Sequence, residues 1–121
     1  MKYLCLVYLS PQEWSSAPDE ACMACGEEMR SSGHFITGTP LHPAHTATTV
    51  RVRNGQLSVT DGPFAETKEQ LAGFYLIEAR DLNEAIQLAS KIPPAKFGRI
   101  EVRPTRELVV SAEHAAAAAA P

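Results

Sequence analysis

The chain has 121 residues, 45% of them hydrophobic, with a formal net charge of −3 at pH 7. That length accommodates one hydrophobic core and not two. A mildly acidic balance with scattered arginines excludes the footprint of a nucleic-acid binder. Three cysteines without a paired framework fit a reducing compartment, and the apolar run ending by Leu9 is too short for a signal peptide or a membrane span. The expectation is a soluble, cytoplasmic protein.

Lys2 to Leu9 is apolar at nearly every position and reads as a strand covered on both faces. Tyr3, Cys5 and Val7 point one way, Leu4, Leu6 and Tyr8 the other. Pro18 to Ser32 reads as a helix: Pro18 suits the first turn, Asp19 and Glu20 favour the positive end of the dipole, and Gly33 stops it. Cys22, Cys25, Gly26 and Met29 fall on one stripe of that helix, whose small residues let it lie close to a sheet. Phe35-Ile36 reads as a short strand, and the stretch onward to His45, with Pro40 and Pro43, as a loop.

Thr46 to Arg53 and Gln56 to Thr60 read as strands joined at Asn54-Gly55, a strong hairpin signal. Alternation puts Thr48, Val50 and Val52 on one face and Thr49, Arg51 and Arg53 on the other. Ala72 to Ala79 is again apolar on both faces. Asp81 starts a second helix with Glu84 three residues later, as in a capping box; its stripe is Leu82, Ala85, Ile86 and Ala89, and Pro93-Pro94 closes it. Arg99 to Arg103 is the last core strand and Leu108 to Val110 an added edge. Residues 1–110 form the domain, and the alanine-rich residues 111–121 read as a disordered or neighbour-docked tail.

Strand, helix, strands with a hairpin, strand, helix, strand is an α+β order of the split βαβ, ferredoxin-like type. It implies an antiparallel sheet with two helices on one face. Two helices cover only that face, yet two strands are apolar on both. Leaving Leu4, Leu6 and one side of Phe74 to Ile77 wet forfeits roughly 1.5–3 kcal/mol per side chain. A face-to-face homodimer is the simplest cover.

The segment Val59 to Glu69 carries the densest signal. Asp61-Gly62-Pro63 reads as a turn, but an Asx-turn aspartate accepts from the N–H two residues on, and Pro63 has none. Asp61 must therefore reach Phe64 N–H, a more distant group or a ligand. Phe64 reads as an apolar anchor, with Glu66, Lys68 and Glu69 supplying charge beside it. His42 and His45 stand in a proline-flanked loop where a titrating group meets solvent. Either one bonds a loop carbonyl or makes an acid–base pair with Asp61.

Alternation places Arg51, Arg53, Arg99 and Arg103 on the face opposite the helices. There they form salt bridges with Glu101, Glu66 or Glu69, or draw an anionic small molecule into a cavity between the sheets of two copies. Arg51, Arg53, Glu66 and Arg103 are thus the candidate ligand-binding residues. Cys22 and Cys25 match C-x-x-C, but they lie inside a helix on its buried stripe and read as reduced core residues. Joining them with His42 and His45 as a zinc set gives the wrong spacing. No phosphate loop, nucleophile elbow or metal motif appears, and the sequence asks for no cofactor.

Leu41-His42-Pro43, Thr46 to Arg51, Asn54-Gly55, Thr60 to Glu69, Leu71 to Tyr75 and Glu101 to Pro104 together resemble the DGPF-domain, YCII-related family, over nearly the whole chain to about Pro104. The resemblance implies a dimeric α+β barrel of ferredoxin-like subunits. It also implies, for some members, a functional link to an extracytoplasmic-function sigma factor. YCII-type relatives carry a His–Asp pair with the histidine on the first helix. This chain has no histidine between Pro18 and Ser32, which leaves His42 or His45 to approach Asp61 from the loop. Two functions follow: a small-molecule-binding, accessory or regulatory protein, or a cofactor-free enzyme acting on a small organic substrate.

Overall fold

A computed structural model describes residues 1–111; the alanine-rich stretch lies, from residue 112, outside the described residues. In chain order come β1 (Lys2–Leu9), α1 (Asp19–Ser31), β2 (Phe35–Pro40), β3 (Thr48–Arg53), β4 (Gln56–Asp61), β5 (Gln70–Glu78), α2 (Leu82–Ala89) and β6 (Arg99–Pro104). Strands β2, β5, β1 and β6 form one antiparallel sheet in that order, while β3 and β4 pair only with each other. This is the ferredoxin-like α+β arrangement with a hairpin inserted between β2 and β5.

Register decides which residues share a face. Leu4 lies opposite Leu76 and Arg103, Leu6 opposite Phe74 and Glu101, and Cys5 opposite Tyr75 and Val102. Both helices cover the Tyr3, Cys5, Val7 and Leu9 face of β1. The core there joins Ile77, Met29 of α1, and Ala85, Leu88 and Ala89 of α2, closed by Ile92. The opposite face, with Leu4, Leu6, Phe74 and Leu76, is half-buried and open.

The ends of the elements follow from local chemistry. Helix α1 closes with Gly33 N–H donating to Arg30 O at 3.0 Å and His34 N–H to Met29 O at 2.8 Å, a Schellman pair. At α2, Asp81 Oδ1 accepts from Glu84 N–H and Glu84 Oε1 accepts from Arg80 N–H, each at 2.9 Å. The β3–β4 turn places Asn54 at φ 53° and Gly55 at φ 75°, the left-handed pair that a two-residue hairpin requires.

Four local expectations are corrected. A loop is expected after Ile36, but β2 continues to Pro40; it is an edge strand paired only with β5, where the missing proline N–H breaks no ladder. The buried stripe of α2 is Ala85, Leu88 and Ala89, with Leu82 and Ile86 about half exposed. Both stripes obey helical spacing, and the one continuing to Ile92 meets the core. Residues Leu108 to Val110 form no strand and are exposed. Finally, the hairpin stands apart from the main sheet, so Arg51 and Arg53 do not share a face with Arg99 and Arg103. Alternation alone fixes faces within a ribbon, not which sheet the ribbon joins.

Candidate functional site

Two strand glycines shape the space beneath α1. Gly38 of β2 lies opposite Tyr75, and Gly73 of β5 lies opposite Val7, both on the helix-facing side. A Cβ at Gly38 would come within 2.7 Å of Phe74 O, and one at Gly73 within 2.9 Å of Thr39 O. Backbones therefore approach closely, and no side chain rises from either position to fill the gap. A cavity of about 650 Å³ opens there between α1 and the β2–β5 half of the sheet.

Its walls combine aromatic and polar groups: Trp14, Phe35 and Tyr75 with Asp19, Arg30 and His42. Phe35 and Tyr75 meet edge to face, their centroids 6.2 Å apart. The Arg30 guanidinium lies 4.7 Å from the Phe35 centroid, and its Nη1 is 3.1 Å from Glu27 Oε1. The Tyr75 hydroxyl donates to Cys22 O at 3.1 Å. Burial, reinforced by the Cys22 and Cys25 thiols, pushes the Tyr75 phenol well above its ordinary range, so it stays a neutral donor.

Three free cysteines lie close by. Cys25 is buried as expected, its Sγ 3.6 Å from Lys91 O. Cys22 is only half-buried and forms part of the cavity wall, which departs from its expected burial. Burial raises both thiols, and it pushes Cys5, with the Cys25 thiol beside it, up to about 11. Thiolate is scarce in such surroundings, so these are packing thiols rather than ready nucleophiles.

A second, polar cleft of about 610 Å³ is lined by Ser10, Gln12, Glu13, Lys68, Glu69 and Arg99. Arg99 Nε lies 3.7 Å from Glu69 Oε2. Two cations balance two carboxylates there, leaving no net pull on a charged ligand.

The YCII-related domain family matches residues 1–109. The chain belongs to that family. An uncharacterised protein of Rhizobium meliloti (strain 1021) is 41% identical over 97 residues, covering 75% of this chain and 78% of that one. Among solved structures, the 5-chloro-2-hydroxyhydroquinone dehydrochlorinase TftG of Burkholderia phenoliruptrix AC1100, in complex with 2,5-dihydroxybenzoquinone, aligns with a TM-score of 0.54 at 17% identity. That likeness covers 88% of this chain and 94% of the other, and at such identity it speaks for the fold. No described helix is long and apolar enough to cross a membrane.

In this YCII-related chain the residues singled out by sequence scatter. His42 lines the cavity; Asp61, His45, Arg51, Arg53, Glu66 and Arg103 line neither space. Asp61 ends β4 opposite Thr48 and is exposed. The Phe64 cap is not formed. Instead Gly62, at φ 94°, carries the turn: its N–H donates to Ala47 O at 2.7 Å and its carbonyl accepts from Thr49 Oγ1 at 2.8 Å. Phe64, expected as an anchor, is 91% exposed. Sequence reasoning missed Trp14, Arg30, Gly38 and Gly73. The two strand glycines were the available signal, since glycine inside a strand marks a close backbone approach or a space kept clear.

Proposed function

We propose that this YCII-related chain binds a flat, largely apolar small molecule with a hydroxyl-bearing edge in the cavity under α1, and that it works as a homodimer. The cavity carries the reading: Trp14, Phe35 and Tyr75, with the carboxylates of Asp19 and Glu27, the Arg30 guanidinium and the His42 imidazole, surround about 650 Å³, within the range of small-ligand sites. Aromatic walls favour a ring, while Asp19, Glu27, Arg30 and His42 at the wall favour a polar, hydrogen-bonding edge. The dihydroxybenzoquinone held by TftG supports a ring-shaped ligand. The homodimer is supported by the open, half-buried row Leu4, Leu6, Phe74 and Leu76. An accessory or regulatory role beside an extracytoplasmic-function sigma factor belongs to the same reading and rests on the family resemblance.

Cofactor-free catalysis on a small organic substrate is the second reading, and His42 favours it. An imidazole is the commonest proton-transfer group, and of the pair sought in Asp61 and a loop histidine, His42 alone stands at the cavity wall.

A thermal-shift screen of hydroxybenzoates and hydroxyquinones tests both. Binding raises the wild-type melting temperature, with smaller shifts in Trp14→Ala and Arg30→Ala and an unchanged shift in Arg53→Ala. Equal shifts in Trp14→Ala and wild type would remove the cavity from the account. Ligand consumption that disappears in His42→Ala while the thermal shift persists selects the enzyme.

A further inference from the structure

The β3–β4 ribbon has one apolar face and no cover for it among the described residues. Val50 pairs across the strands with Val59, and Val52 with Leu57; these four side chains are 57–67% exposed. Thr48 and Asp61 end the same row at the ribbon's foot, while Arg51, Arg53 and Ser58 occupy the reverse face. A two-stranded ribbon is marginal by itself in water and needs a surface to lie on. The four-stranded sheet of the same chain offers such a surface in Leu4, Leu6, Phe74 and Leu76. These two unpartnered apolar faces are borne by one polypeptide.

We propose that the ribbon is a clasp: its Val50, Val52, Leu57 and Val59 face lies on the open sheet face of a second copy of this chain, and Asp61 pairs with Arg103 of the partner subunit. The inference rests on the homodimer reading and adds the element that crosses over. Charge favours a second copy as the occupant. The ribbon's apolar row ends in a carboxylate that makes no ion pair among the described residues. The sheet face is bordered by Arg103, opposite Leu4, which also makes none, whereas Arg99 already faces Glu69 at 3.7 Å. Each chain thus carries both halves of the contact, and a twofold axis uses each half twice and closes. Arg51 and Arg53 then face outward, on the rim.

Light scattering and sedimentation at micromolar concentration test the clasp on wild type, the double variant Val52→Asp with Leu57→Asp, and Leu6→Glu. Because the ribbon packs outside the hydrophobic core, the double variant should keep its circular dichroism and cooperative melting while its dimer dissociation constant rises at least ~100-fold. Leu6→Glu should dissociate the dimer as well. A dimer lost in Leu6→Glu but intact in the folded double variant overturns the clasp and leaves a sheet-to-sheet dimer standing. A monomeric wild type overturns the dimer reading itself. Asp61→Arg should weaken the dimer about tenfold, and adding Arg103→Asp should restore it; absence of that rescue overturns the Asp61–Arg103 pairing.

Discussion

The Tyr75 hydroxyl donates to the Cys22 carbonyl across 3.1 Å, joining the middle of β5 to α1. One side of that bridge is the cavity and the other is the thiol-lined core. Tyr75 and Cys22 both line the cavity, so the contact ties two of its walls together. Tyr75→Phe keeps the ring and removes the donor, so it should cost about 0.5–1.5 kcal/mol, the net worth of one hydrogen bond. Urea midpoints of the two proteins measure it; identical midpoints would show that the bridge contributes nothing.

Gly73→Ala sets a methyl group within 2.9 Å of Thr39 O and 3.1 Å of the Pro40 Cα. Both neighbours are backbone, so relief requires β2 to move away from β5. Overpacking of this kind costs about 1–3 kcal/mol, and because β2 forms a wall of the cavity the same substitution should weaken any ligand-induced thermal shift. A melting temperature equal to wild type would mean that β2 yields freely.

Alkaline stability should report Cys5. The fold raises this thiol from 9.0 to about 11, so the unfolded chain loses the proton first as pH climbs. The stabilisation is complete below pH 9 and is lost between about 9 and 11. Tyr75, also raised from its ordinary 10.0, extends the decline to higher pH. Urea midpoints at intervals across that window should fall in wild type and fall less steeply in Cys5→Ala.

The acid limb has the opposite sign. Asp81 is held below the usual carboxylate range by Glu84 N–H and then by Arg80, and Glu84 by Arg80 N–H, the Arg80 charge and His34. Such groups stabilise the fold above their unfolded pKa, and the contribution disappears as pH falls through the folded one. Asp81→Asn keeps a capping oxygen without the titration. Its melting temperature should therefore respond less than wild type to acidification below the carboxylate range.

Much of this architecture was legible because it rests on local chemistry. Asn54-Gly55 specifies the hairpin, Asp81 with Glu84 specifies the start of α2, and the Cys22, Cys25, Gly26 and Met29 stripe specifies which side of α1 turns inward. The site was less legible. Asp61 attracted attention through Pro63, a genuine local anomaly, but a carboxylate denied its turn donor need not turn inward, and on its own subunit Asp61 is exposed. Trp14, Arg30 and His42 are separated widely in sequence, and no periodicity links them.

The sequence by itself determined the order of elements, the face of β1 that becomes the core, and the excess of apolar surface over what two helices can cover. These depend on alternation and helical spacing, which neighbouring residues enforce. Only the tertiary structure decided that the hairpin leaves the main sheet, that Ala85, Leu88 and Ala89 rather than Leu82 and Ile86 face inward on α2, and that Gly38 and Gly73 both line a cavity beneath α1. Those outcomes depend on which distant strands pair and how closely their backbones approach, and contacts of that kind leave no period in the chain.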